Sequence, residues 1–190
     1  MNNHTPSPLN KSTNIPLDHH NLKEIALAGG CFWGVEAFMA RVPGVAEAIS
    51  GYVNGNTQNP SYEDVCRRGT GHAEAVLVRY DPAIVSLDRL LRYFIRIIDP
   101  TTLNRQGSDV GRQYRSGIYY TDDGDKAIAD AVLADVQTKY KKPVVTEVQP
   151  LENFAQAEEY HQDYLEKNPS GYCHVDFSIL DEMKREGEQI

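Results

Sequence analysis

The chain has 190 residues, of which 41% are apolar and 24% charged, enough to bury a core without a metal or disulfide staple and too apolar for a wholly disordered polymer. Asp and Glu number 27 against 19 Lys and Arg, and the resulting net charge of −8 argues against a partner with a phosphate backbone. No run approaches the roughly 18 consecutive apolar residues of a membrane span.

Residues 1–22 are rich in Asn, Ser, His and Pro and lack an apolar stretch, so they read as a disordered leader rather than an export signal, which places the chain in the cytoplasm. Residues 23–180 read as one catalytic domain and 181–190 as a tail. Lys23 to Ala28 alternates and runs into Gly29-Gly30, a strand entering a tight turn. From Cys31 the period changes: Val35, Phe38, Met39 and Val42 fit one helical stripe, stopped by Pro43-Gly44. Val45 to Val53 is a second strand, Ser61 opens a short helix that stops near Gly69, and Ala73 to Tyr80 is a third strand. Ser86 caps a helix with Leu87, Leu90, Leu91, Phe94 and Ile98 on one face. Residues 101–116 show no period, and a loop of that length in a compact domain is usually functional. Gly117 to Thr121 is a fourth strand; a helix then opens at Asp122, Asp123 and Asp125 and closes at Lys139, Lys141 and Lys142. Val144 to Val148 reads as a strand, Phe154 to Lys167 as a helix, and Asn168 onward as an irregular tail. Without the short helix, the first six elements run β-α-β-β-α-β. That is the order of a ferredoxin-like α+β sandwich, with two layers and a mostly antiparallel sheet.

Three cysteines, Cys31, Cys66 and Cys173, with wide gaps and no C-x-x-C exclude a disulfide scaffold and a structural zinc site. Cys31 follows a strand and two glycines and opens a helix, where unpaired N–H groups favour an anion, so its thiol is expected to ionise easily. Position 37 is Ala, not the Arg of a phosphatase loop, and position 34 is Gly, not a second thioredoxin-type Cys. Phe32 and Trp33 would suit a small apolar substrate group, but on their own they read as core residues of the first helical turn. Glu74 shares the even face of its strand with Val76, Val78 and Tyr80, so it is expected to be buried and to hold its proton near neutral pH. Asp109 and Tyr114 come from the long loop and Tyr62 from the Pro60-Ser61-Tyr62 turn. Either Cys173 or Cys66 could meet a second sulfur, and either could be a spectator.

Gly30-Cys31-Phe32-Trp33-Gly34 with Glu36, Gly71-His72-Ala73-Glu74, residues 99–107, residues 109–116 and Gly171-Tyr172-Cys173-His174 together resemble the A-type peptide methionine sulfoxide reductases over residues 23–177. The resemblance implies that Cys31 attacks the sulfoxide sulfur and that Glu74 protonates the departing oxygen. It assigns Tyr62 and Tyr114 to hydrogen bonds on that oxygen, Asp109 to the network and its water, and Phe32 and Trp33 to the methyl pocket. Cys173 is the implied resolving thiol. It further implies action on the S epimer, protein-bound or free, a monomer with no bound cofactor or metal, and electrons from thioredoxin. Two rival readings are a thiol peroxidase, which needs no methyl pocket, and a non-catalytic binder of oxidised methionine.

Overall fold

A computed structural model describes residue 18 and residues 20–185. The main elements are strand β1 (Lys23–Gly29), helix α1 (Phe32–Met39), β2 (Val45–Val53), α2 (Tyr62–Arg67), β3 (Ala73–Tyr80) and α3 (Leu87–Arg96). There follow β4 (Arg105–Gln106), β5 (Asp109–Val110), β6 (Ser116–Tyr120), α4 (Asp123–Gln137), β7 (Glu147–Pro150), β8 (Phe154–Gln156), α5 (Tyr164–Lys167) and α6 (Ser178–Arg185). The large sheet has the order β7-β6-β1-β3-β2-β8. Its inner four strands, β6-β1-β3-β2, are antiparallel throughout and carry α1 and α3 as their crossovers, which is the split-βαβ arrangement expected. β7 adds in parallel to β6, and β8 adds antiparallel to β2.

The alternation of β3 decides which side faces the helices. Val76, Val78 and Tyr80 join the principal core with Phe38 of α1 and Phe94 of α3, while Ala73, Ala75 and Leu77 point to the other face, which Leu151 and Phe154 cover. Ser86 caps α3 as expected, its hydroxyl accepting the Arg89 N–H at 3.3 Å.

Several elements differ from the sequence reading. α1 is not a one-stripe helix: Glu36 and Ala37 are buried along with Val35, Phe38 and Met39, and Val42 lies beyond its end. The sheet takes one side of α1 and α5 lies against it as well. The expected helix over 154–167 is a strand, a 3-10 turn (Glu159–His161) and the single turn of α5. Two constraints cut it: the free edge of β2 recruits residues 154–156, and Asp163 stands at φ 52 in the left-handed region. Residues 101–116 contain the β4–β5 hairpin and a 3-10 turn, and the tail contains α6. The leader lies mostly outside the described residues; its last part docks through the Asp18 N–H on Asp81 Oδ2 at 3.0 Å.

The sheet is curled, and chain length shows why. β7 and β8 lie at opposite edges, five steps of roughly 4.8 Å, or about 24 Å, apart in a flat sheet. The four residues from Pro150 to Phe154 can span only about 14 Å. The edges therefore approach one another. Asn54, at the end of β2, clasps them: its Nδ2 donates to Pro150 O at 2.8 Å, and its Oδ1 accepts the Glu152 N–H at 2.8 Å.

Candidate active site

Cys31 sits where β1 turns into α1, at the helix N-cap position and 8% exposed. Gly30 makes the turn at φ 83, and a Cβ there would fall 2.6 Å from Gln106 Cβ, so only glycine lets the 99–106 loop close over it. Gln106 braces that loop, its amide exchanging bonds with the Asp99 N–H at 2.9 Å and Asp99 O at 2.7 Å. The expected easy ionisation of Cys31 is corrected here. Burial, with the Glu74 carboxylate second, pushes the thiol well above its ordinary value, and the Trp33 N–H at the helix start offsets only part of this. A helix terminus stabilises a thiolate by about 1 kcal/mol, less than desolvating the sulfur costs.

Glu74 is where the alternation put it, 1% exposed on the core face and opposite Tyr52 in the β2–β3 register. Its Oε2 accepts the Phe32 N–H at 3.3 Å, and Oε1 has no partner. Burial raises its pKa to about 8, the Phe32 N–H opposing and Asp109 adding to the rise. At neutral pH the group is mostly a neutral acid, which also removes the charge that holds the Cys31 proton in place.

Tyr62 and Tyr114 are half-buried beside this carboxyl. Both lie close enough to feel the charge of Glu74, and Tyr62 also lies near Cys66. Burial is the largest cause holding both phenols above their ordinary range, followed by Cys66 for Tyr62 and by the Glu74 charge for Tyr114, so they remain donors. Tyr62 is set by two devices. Ser61 and Asp64 form a reciprocal capping box at the start of α2, and the Tyr62 N–H donates to Glu158 Oε1 at 2.8 Å. The other oxygen of Glu158 accepts the Tyr52 hydroxyl at 2.8 Å. Burial raises the Glu158 pKa, but these bonds outweigh it and the group stays below its ordinary value. Asp109, on β5, has a buried Oδ2 with no partner and lies close enough to raise both Cys31 and Glu74.

The apolar wall is an aromatic cluster. Phe32 packs against Tyr52 and His161 with ring centres 5.8 and 5.1 Å apart, and Trp33 stacks on Tyr164 at 3.6 Å and 11°. The Trp33 Nε1–H donates to His161 Nδ1 at 3.1 Å. His161 is buried, and burial holds it below its ordinary pKa, so it is a neutral acceptor for the indole. His161, Tyr164, Glu158 and Gln106 were not picked out from sequence. The only trace of the first three is a run of Tyr and His (EEYHQDY) within the stretch expected to be a helix.

Cys173 returns the tail to α1. Its Sγ accepts the Val175 N–H at 3.3 Å, and burial raises its pKa. At Gly34 a Cβ would stand 2.9 Å from that sulfur and 2.8 Å from Val175 Cγ2, so the missing side chain is what admits the tail. Cys173 lies near enough to raise Cys31 electrostatically. The other site residues proposed from sequence are thus gathered around the Cys31 sulfur and the Glu74 carboxyl. Among the described residues no group of three His, Cys, Asp or Glu is placed to hold a metal ion.

A free buried thiol, a neutral buried acid next to it and a second thiol on a returning tail define a cysteine-based oxidoreductase. The sequence matches the family of peptide methionine sulfoxide reductases over residues 23–189. The peptide methionine sulfoxide reductase MsrA of Clostridium botulinum (strain Okra) is 56% identical over 154 residues, 81% of this chain and 98% of that one. Among solved structures, reduced Mxr1 from Saccharomyces cerevisiae aligns with TM-score 0.79 at 38% identity, covering 86% of this chain and 96% of that one. Methionine sulfoxide reductase A of Corynebacterium diphtheriae aligns with TM-score 0.72 at 32% identity, covering 89% and 88%. The chain belongs to the A-type peptide methionine sulfoxide reductases and is a thioredoxin-dependent oxidoreductase that reduces methionine sulfoxide at a cysteine.

Proposed function

We propose that Cys31 is the reacting cysteine and that the enzyme acts on the S epimer, in proteins and as the free amino acid, through the groups around it. The substrate's methyl group lies against Phe32 and Trp33, and its oxygen meets Glu74, Tyr62 and Tyr114. Cys31 attacks sulfur from the remaining side. Three fixed directions around one stereogenic sulfur admit a single hand, and the A-type assignment makes it S. The Glu74 proton passes to the sulfoxide oxygen as the Cys31 sulfur bonds to the substrate sulfur. Oxygen then ends on Cys31 as sulfenic acid, methionine leaves, and the Cys31 proton restores Glu74. Asp109 holds the water and the hydroxyls of the oxygen site. Cys173 condenses with the sulfenic acid, releasing water and forming a Cys31–Cys173 disulfide, which thioredoxin reduces by exchange. The monomer is sufficient for this, and the cytoplasm supplies the reductant.

One observation carries this reading: the Glu74 carboxyl is buried with Oε1 unpartnered and shares its Oε2 bond with the Phe32 backbone, one residue from the nucleophile. The test is a thiol count with each sulfoxide epimer and no reductant. Wild type should lose two thiols per methionine released, with the S epimer only. Cys173→Ser should release one methionine and then stall with thioredoxin; sustained cycling would assign the second thiol to Cys66 instead.

A further inference from the structure

A second carboxyl lies as deep as Glu74 and takes no part in that chemistry. Glu36, on α1, is also 1% exposed. Its Oε2 accepts the Asp163 N–H at 3.0 Å, and its Oε1 has no partner. Asp163 is the left-handed residue (φ 52, ψ 33) at which the chain turns into α5, a conformation that a non-glycine residue keeps only when its surroundings impose it. The next residue is Tyr164, whose ring lies flat on Trp33. The ion pair of Arg41, just past the end of α1, with Glu166 also ties this region together, but both partners are about a third or more exposed and such pairs contribute little. The buried bond from Glu36 is therefore the stronger anchor of this short helix.

We propose that Glu36 is a positioning residue of the substrate pocket: by fixing the Asp163 N–H it seats Tyr164 on Trp33 and so sets the indole against the substrate's methyl group. This rests on the reading of Trp33 as the pocket wall, and the two can fail separately. Trp33 is the only tryptophan in the chain, so its emission and acrylamide quenching report the stack directly.

Glu36→Met, which keeps the volume and removes the acceptor, should raise KM for methionine sulfoxide about tenfold with kcat within about twofold. It should also shift Trp33 emission to the red and make it easier to quench. Glu36→Gln, whose amide oxygen still accepts the Asp163 N–H, should restore both readouts. Tyr164→Leu leaves the buried carboxyl untouched and should reproduce the KM effect, and the double variant should be no worse than Tyr164→Leu alone. Unmoved Trp33 emission in Glu36→Met, or a Gln variant as impaired as the Met one, would overturn the proposal. Moved emission with a wild-type KM would also overturn it, by removing Trp33 from the pocket, which is the failure of the underlying reading. If Glu36→Met does not fold, wild-type KM and emission in Tyr164→Leu overturn the proposal by themselves.

Discussion

Glu36 and Glu74 are two carboxyls of equal depth, and each is raised to about 8, with burial as the largest cause. What separates them is the neighbour. Each accepts one backbone N–H at a helix start, but only Glu74 stands beside a thiol and two phenols. A neutral acid at that second place is worth two to four orders of magnitude in general acid catalysis. Glu74→Gln should therefore slow methionine release in a single turnover by about a hundredfold or more, measured by rapid quench. A wild-type rate would remove Glu74 from its role. The position of Glu74 was legible because strand alternation is a local property: Val76, Val78 and Tyr80 fix the face. The Cys31 ionisation was not, since a sequence shows that a helix begins there but not that the β4–β5 loop and the tail bury the sulfur. The resting thiol is accordingly protonated, and proton traffic with Glu74 becomes part of the reaction rather than a preliminary to it.

Among the elements, α1 carries the most function per residue. Cys31 caps it, Phe32 and Trp33 form its first turn, Gly34 admits the tail and Glu36 reaches α5. Gly34→Ala should hold the tail off: the new Cβ would meet Cys173 Sγ at 2.9 Å and Val175 at 2.8 Å. Overpacking of this kind costs about 1–3 kcal/mol, so disulfide closure after the first turnover should slow by roughly tenfold or more. The first methionine should still be released. Quenching the reaction with an alkylating agent and counting free thiols over time checks this, and an unchanged closure rate would mean that the tail enters by another route. The helix from 154 to 167 was misread because Phe154, Ala157, His161, Tyr164 and Leu165 do fall at helical intervals. Two non-local facts defeated the local pattern: the open edge of β2, and the ring of Phe154 filling the space over Gly51, where a Cβ would be 2.4 Å from it. The helix starts at Ser61 and Ser86, by contrast, rest on local signals and were readable.

At the scale of the molecule, the buried carboxyls make stability depend on pH. In the unfolded chain they titrate near 4.5, and in the folded one near 8. Between these values the folded state holds protons that the unfolded state has released. Their contribution is therefore complete below about pH 4.5 and is lost as pH rises through about 8, at up to about 1.4 kcal/mol per pH unit for each group. His72 and His161, which are buried, and His174, which is partly buried, are held low by desolvation and act in the opposite direction below about pH 6.5. Urea midpoints between pH 6.5 and 8 should fall more steeply for wild type than for Glu36→Gln/Glu74→Gln, and parallel curves would contradict the assignment. The order of the inner four strands was accessible from the β-α-β-β-α-β succession because handedness and short connections leave few alternatives. The outer strands were not, since neither has a strong pattern of its own; each is defined by the rim it covers.

Those two rims are sealed by one late stretch of chain. While the polypeptide is still being synthesised, everything up to α4 can assemble with β2 and β6 offering unpaired backbone to any neighbouring nascent chain. Once residues 147–156 emerge, 147–150 cover the border at β6 and 154–156 the border at β2, and Asn54 locks the seam. Ribosome-stalled fragments ending before residue 147 would therefore be the form of this protein most prone to cross-chain pairing, and the last quarter of translation is what makes the fold self-contained.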